Sequence, residues 1–253
     1  MLDPILLQTF LAVAQTRSFT QAAERLGLRQ STVSQQVDRA QRYFAGAQLR
    51  GQLRFGTSED VVASRLPEVL REFVRTHPLV DLELTVGLSG ELVEKLGRGE
   101  LDLVCGKRRP GDDSGRVVWR DKLVWVAQEE WRIEASCAVP LILYSPPSIT
   151  RAIALSALER ERRPWRIVCT SGSLSGLRAA ALAGLGVTAV ARGLMPTGLS
   201  QVADALNLPD LGDVDFVLLG AATRGPAAEL AQTILASGDR LQRPWGETSR
   251  TAF

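Results

Sequence analysis

Between Ser18 and Val37 apolar residues recur twice at helical spacing, with a glycine between the two runs. Phe19, Ala22, Ala23 and Leu26 make the first stripe, and Ser18 or Thr20 supplies a hydroxyl to open that helix. Gly27 ends it, because glycine accepts the left-handed backbone of a sharp turn. Leu28 plugs the turn, and a second helix starts at Gln30 or Ser31 with Val33 and Val37 facing inward at i, i+4. Arg29, Gln30, Ser31, Thr32, Ser34, Gln35 and Gln36 are left outside. Upstream, residues 3–15 carry Ile5, Leu6, Phe10, Leu11, Val13 and Ala14 as an apolar face after Asp3-Pro4. Residues 1–37 therefore predict a three-helix unit with a helix-turn-helix. Residues 38–50 predict a short linker helix with Ala40, Phe44 and Ala47 on one face, and Gly51-Gln52 mark its boundary.

Beyond the boundary the pattern alternates between strands and helices. Strands are expected at 53–56, 82–86, 101–105, 117–127 (one or two), 141–144, 165–170, 187–191 and 216–219. Helices are expected at 61–76, interrupted early by Pro67, and at 91–97, 151–161, 174–183 and 227–236. Residues 237–253, rich in Gly, Arg and Pro, are expected to fray. The succession predicts parallel sheets covered by helices. Two sub-domains follow, one of residues 51–124 with 217–240 and one of residues 125–216.

Composition narrows the function classes. The 253 residues are 45% hydrophobic and 23% charged, as in an ordinary soluble globular protein. The chain holds no apolar run of the roughly 18–20 residues that a membrane span needs, and no export signal pattern. Three widely spaced cysteines, Cys105, Cys137 and Cys169, suggest reduced thiols in a cytoplasm. Charge is uneven: residues 1–50 hold six arginines against Asp3, Glu24 and Asp38, while the remainder carries a net −1. A mildly basic module on a neutral body suits DNA contact at one end.

Two surfaces carry candidate chemistry. Short amide and hydroxyl side chains on the outside of a second helix read base edges and phosphates, and that helix enters the major groove in helix-turn-helix docking. The plain alternative is a three-helix interaction module with a polar face. Elsewhere, four strand-to-helix junctions carry hydroxyls: Thr57-Ser58, Ser89, Ser145 with Ser148 and Thr150, and Ser171 with Ser173. Such junctions gather at the carboxyl ends of strands beside helix N-termini, where free N–H groups favour a carboxylate or similar anion. Each serine alone is as well explained as a helix cap. Glu59 and Asp60 lie in the first junction and repel an anion, so either they point away or the ligand carries a positive group.

At this point the residues resemble the LysR-type transcriptional regulators. The resemblance runs through Leu7–Leu28 and Gln30–Val37, and continues through Gly51–Gly56, Leu66-Pro67, His77-Pro78, Gly99–Leu103 and Gly184–Val187. The stretch Lys107–Val126 looks most like the LrhA/HexA-like branch of that family. The resemblance implies a winged-helix-like DNA-binding domain, a linker helix and a two-sub-domain, periplasmic-binding-protein-like α/β effector domain. It also implies double-stranded promoter DNA, an unidentified small-molecule effector and a homodimer or homotetramer as partners. Exposure and resemblance together assign DNA contact to Arg29, Gln30, Ser31, Thr32, Ser34 and Gln35, with Ser18, Thr20 and Gln21 near phosphate. The expected ligand set is Thr57, Ser58, Glu59, Ser89, Ser145, Ser148, Thr150, Ser171 and Ser173. One departure is large: after Val37 the chain runs straight into what resembles the end of the linker, as if a deletion had removed the wing and most of the linker helix.

Two rival readings stay open. One is a ligand-binding, oligomerising remnant with impaired DNA binding. The other is an enzyme, which lacks a base–nucleophile set: the single histidine, His77, reads as a helix C-cap, and no metal or other cofactor is expected. Gly184-Leu-Gly186 stands between a helix and a strand, the reverse of the dinucleotide-binding order. Cys105 and Cys169 read as buried thiols, and Trp119, Trp125 and Trp165 as packing residues.

Overall fold

Ser18 and Gly27 delimit the second helix as their chemistry requires. The computed structural model describes residues 4–37, 49–134, 137–202, 206–220 and 225–244. It divides into two units, Met1–Arg50 and Gly51–Phe253. In the first, α1 is Pro4–Thr16, α2 is Phe19–Leu26 and residues 30–37 are helical (α3). The Ser18 hydroxyl accepts the Gln21 N–H at 3.4 Å, and Gly27 at φ 65° sends its N–H to the carbonyls of Ala23 and Glu24. Ala12, Ala22, Ala23, Val33 and Val37 form the core, with Val13 and Leu26 packed against it. Small side chains at these contacts let short helices approach closely.

The inner face of α1 differs from the expected one. Leu6, Thr9 and Ala12 turn inward, while Ile5, Phe10 and Leu11 are exposed. The helix is apolar on most of its circumference, so periodicity alone does not select a face. Thr9 is buried because its hydroxyl donates to Gln36 Oε1 at 2.6 Å, which ties α1 to α3. The expected linker helix at 38–50 lies outside the described residues, apart from its last two positions.

In the second unit β1 is Arg50–Thr57, α4 Glu59–Val62, α5 Leu66–Thr76, β2 Leu79–Val86, α6 Ser89–Gly97 and β3 Leu103–Lys107. Next come β4 Arg116–Gln128, β5 Val139–Tyr144, α7 Ile149–Arg160, β6 Trp165–Ser171, α8 Leu174–Leu182 and β7 Thr188–Ala191. The chain continues with β8 Leu199–Gln201, β9 Asp213–Leu219, α9 Pro226–Leu235 and α10 Gly238–Leu241. Pro67 sits in the first turn of α5, where its missing N–H costs nothing, so it begins a helix and does not interrupt one. Residues 238–241 are ordered where fraying was expected, because Leu241 is fully buried.

The sheets are mixed, which corrects the expectation of parallel ones. The strand order is β2-β1-β3-β9-β4-β7, with β8 also on β4 and β5 paired to β6. Strand β1 is parallel to β3, and β9 is antiparallel to both β3 and β4. The long β4 belongs to two layers: Arg116–Lys122 pairs with β9, and Leu123–Gln128 pairs with β7 and β8. A bridge from Leu141 to Val187 joins β5 to the entry of β7. Strands that carry the chain from one half to the other and back run against their neighbours, hence the mixture.

Each half has its own core. Val124, Val126, Ile142, Tyr144, Leu177, Ala181, Val190 and Leu199 pack in one, and Leu92, Leu101 and Val104 in the other. Trp119 stacks on Phe216 at 4.1 Å, and the buried Trp125 indole donates to the Pro209 carbonyl. Burying side chains of this size contributes about 1.5–3 kcal/mol each.

Candidate functional site

The helix-turn-helix presents a polar surface on a small apolar core. Arg29, Gln30, Ser31 and Gln35 are exposed, and Thr32 and Ser34 are half-buried on the flanks of α3. Ser18 is occupied as the α2 cap, with Thr20 and Gln21 exposed on the first turn beside it. All nine residues expected at DNA therefore stand at or near the surface of this unit. Gln36, which the spacing also puts outside, is half-buried against Thr9.

The second unit holds a narrow cleft of about 20 Å³ at the carboxyl ends of its strands. Ser58, Glu59 and Asp60 follow β1, Ser89 begins α6 and Lys107 ends β3. Across from them lie Tyr144 at the end of β5, Ser148 to Thr150 at the start of α7, and Gly172 before α8. Lys107 Nζ is 2.6 Å from Asp60 Oδ2 and donates to Thr150 Oγ1 at 2.8 Å, with both charged side chains buried. Two charges out of water are tolerated only when paired and hydrogen-bonded. Gly106 brings Ser89 close: a Cβ there would lie 2.8 Å from Ser89 Oγ, which accepts the Lys107 N–H at 3.0 Å. Glu59 reaches across and accepts the N–H of Leu174, the first residue of α8.

Hydroxyls in and behind the cleft are unevenly served. Thr57 Oγ1, Ser58 Oγ and Tyr144 OH are buried and lack a hydrogen-bond partner among the described residues. Burial, with Asp60 and Glu59 adding to it, pushes the Tyr144 phenol well above its ordinary value, so it stays protonated. Ser148 caps α7 by accepting the Arg151 N–H, and Ser173 caps α8 by accepting the Gly176 N–H at 3.1 Å. Ser171 accepts the Ser173 N–H at 3.1 Å.

The model of the LysR substrate binding domain matches residues 46–219, and that of the bacterial regulatory helix-turn-helix protein, lysR family, matches residues 5–47. The chain belongs to the LysR family of transcriptional regulators. Among relatives of this LysR-family regulator, the HTH-type transcriptional regulator PecT of Dickeya dadantii (strain 3937) is 28% identical over 86% of the chain and 81% of PecT. DgdR of Burkholderia cepacia is 27% identical over 84% of the chain and 86% of DgdR. The crystal structure of HinK, a LysR family regulator from Pseudomonas aeruginosa, has the same fold at a TM-score of 0.56 and 20% identity, covering 93% of this chain and 98% of HinK.

Of the residues expected at ligand, the regulator brings Ser58, Glu59, Ser89, Ser148 and Thr150 into one cleft. Thr57, Ser145, Ser171 and Ser173 do not line it. Lys107 and Tyr144 were missed by sequence reasoning. The signal for Lys107 was present as a lone cation closing the buried run Leu103-Val-Cys-Gly-Lys107. Tyr144 carried none, because an aromatic ending an apolar strand reads as core.

The remaining candidates sort by burial. Cys105 is fully buried, and burial pushes its thiol up to about 12. Cys169 is half-buried, not enclosed as its strand suggested, since β6 has β5 on one side only among the described residues. His77 caps α5 and packs against Phe73 at 5.0 Å. Among the described residues no cluster of His, Cys, Asp and Glu is placed to hold a metal ion, and no helix is long and apolar enough to cross a membrane.

Proposed function

We propose that this LysR-family regulator reads promoter DNA with α3: Gln30, Ser31, Thr32, Ser34 and Gln35 at base edges, and Arg29, Ser18, Thr20 and Gln21 at phosphates. In this reading the protein works in the cytoplasm as a homodimer or homotetramer, because one helix-turn-helix covers only a half-site. The cleft takes a small-molecule effector, and closure of its two halves alters the spacing of the α3 helices. Such coupling requires that the effector bind one state more tightly than the other. The observation that carries the reading is the exposed polar face of α3, set after a left-handed Gly27 on a core of alanine and valine.

A second reading, a ligand-binding and oligomerising protein with weakened DNA contact, is favoured by one observation. The two family models match residues 5–47 and 46–219, so nothing separates them. The alignments to PecT and DgdR run over 257 and 252 positions, yet cover only 86% and 84% of 253 residues. We take the segment after Val37 to be shortened relative to those regulators, at the wing and most of the linker helix. We also assign the chain to the LrhA/HexA-like branch on the stretch Lys107–Val126.

Titration of the full chain against its own promoter duplex and a random duplex, from about 50 to 200 mM salt, separates the readings. Specific reading gives a steep salt slope and a promoter preference of at least about 10³. Equal, weak affinity for both duplexes rejects it in favour of the second reading.

A further inference from the structure

The second unit holds a larger space outside the cleft. A cavity of about 240 Å³ opens between α6, the loop that follows β3, and β9. Ser89, Lys107 and Ile149 stand in the wall that it shares with the cleft. Its apolar lining is Val93, Ile149, Val217 and Leu219. Val93 is 43% exposed, and Ile149 and Leu219 are half-buried, so much of this lining faces water. A lone exposed valine on a convex surface needs no explanation, but a concave apolar lining edged by a few polar groups is the form of a small-molecule site.

Four charged side chains besides Lys107 reach the edge of this cavity, and three of them are engaged. Arg108 pairs with Asp215 at 2.6 Å. Asp112 accepts the Ser114 N–H at 2.8 Å, and that bond, with Arg108 and Arg109 nearby, holds its carboxyl below the ordinary range. Glu94 lies one turn before Arg98 on α6 and feels that cation. Arg109 is the exception, for its guanidinium makes no hydrogen bond or ion pair among the described residues. Its Nη2 stands 3.8 Å from the place that a Cβ on Gly90 would take, in the first turn of α6. The bare glycine leaves a gap between guanidinium and helix. Glu91, the acid of that turn, reaches toward Gly87 and does not line the cavity. A cation beside the positive end of a helix is repelled, whereas an anion seated between them is attracted by both.

We propose that this cavity is a ligand site, separate from the cleft, for a small aliphatic monocarboxylate. The carboxylate pairs with Arg109 in the gap over Gly90, and the hydrocarbon lies on Val93, Ile149, Val217 and Leu219. An aliphatic body follows from a lining that holds no aromatic ring, and a single charge from the single unengaged cation. A second carboxylate would meet Glu94 and Asp112. The site stands independently of the readings of α3 and of the cleft.

Hexanoate, acetate and hexanamide test this on the full chain by ligand-observed NMR titration. Hexanoate is expected to bind at millimolar concentration or below. Acetate and hexanamide should each bind at least about tenfold more weakly, because one lacks the hydrocarbon and the other the charge. Arg109→Gln and Val93→Ser should each weaken hexanoate at least about fivefold, and Arg109→Gln should leave hexanamide unchanged. Both positions are exposed, so the variants are expected to unfold in urea at the parent's midpoint. Hexanoate that does not bind, or that binds the parent and Arg109→Gln alike, overturns the proposal. Acetate as tight as hexanoate also overturns it, since the apolar lining would then recognise nothing. Hexanoate binding lost in Tyr144→Phe but kept in Arg109→Gln puts the ligand in the cleft, which sinks this site and leaves the reading of the cleft standing.

Discussion

Helix α3 and the cleft of the second unit are built from the same short polar side chains, turned in opposite directions. On α3 Gln30, Ser31 and Gln35 stand outward, with Thr32 and Ser34 half-buried on the flanks. In the cleft Ser58, Ser89, Thr150 and Lys107 are buried, so each polar atom needs a partner inside the protein or from a ligand. Stability in the first region is therefore nearly independent of its outward polar residues, whereas in the second it depends on the polar residues of the cleft. Glu59 and Asp60 show the consequence. The sequence left them pointing away or awaiting a cation, and the fold instead gives one a buried lysine and the other a helix terminus.

The largest effect expected from this contrast is in the cleft. Lys107→Met strands a buried carboxylate and should cost about 3–5 kcal/mol in urea unfolding of the full chain, while the pair Lys107→Met and Asp60→Leu recovers most of it. A single variant as stable as the parent would mean that the buried pair is not what holds the two ends together. Next comes the outward face. Thr32→Ala with Gln35→Ala should weaken promoter binding by about 100-fold, two base contacts at 1–3 kcal/mol each, with unfolding changed by under about 0.5 kcal/mol. Anisotropy titration and urea unfolding on the same preparation read both numbers, and unchanged promoter affinity removes α3 as the reading helix.

The smallest effect compares two serines doing one job. Ser18→Ala and Ser173→Ala should each cost about 1 kcal/mol, less at Ser18, whose bond is 3.4 Å against 3.1 Å at Ser173. Chemical denaturation gives the losses. A larger loss at Ser18 would break the link between cap geometry and stability that both regions share.

The helix-turn-helix was legible because its determinants are neighbours in the chain. Ser18 and Gly27 each bond residues three or four positions away, Val33 and Val37 lie one turn apart, and each does what its spacing says. The α1 face was not legible, since Thr9 is buried by a partner, Gln36, two helices away. Among the strands, the three-residue β8 left too short a pattern to read, and β9 begins earlier than its apolar run because Asp213 and Asp215 sit in it. Asp215 is accommodated there by Arg108 and Arg120, both at 2.6 Å, and these guanidiniums, Arg120 foremost, hold its carboxyl below the ordinary range. The cleft was half legible: serines at strand ends announced it, while Lys107 and Tyr144 were hidden in apolar strands.

The sequence by itself determined the helix-turn-helix with its cap and turn, most of the later helices, the alternation of strands and helices, and the family. Each of these is fixed by side chains a few residues apart, where steric and hydrogen-bonding preferences act directly. Only the tertiary structure decided the mixed sheet, the division of β4 between two halves, and the pairing of Asp60 with Lys107 and of Glu59 with α8. The reason is physical: a charge chooses its partner by what burial leaves within reach, and that depends on how distant strands come to lie side by side.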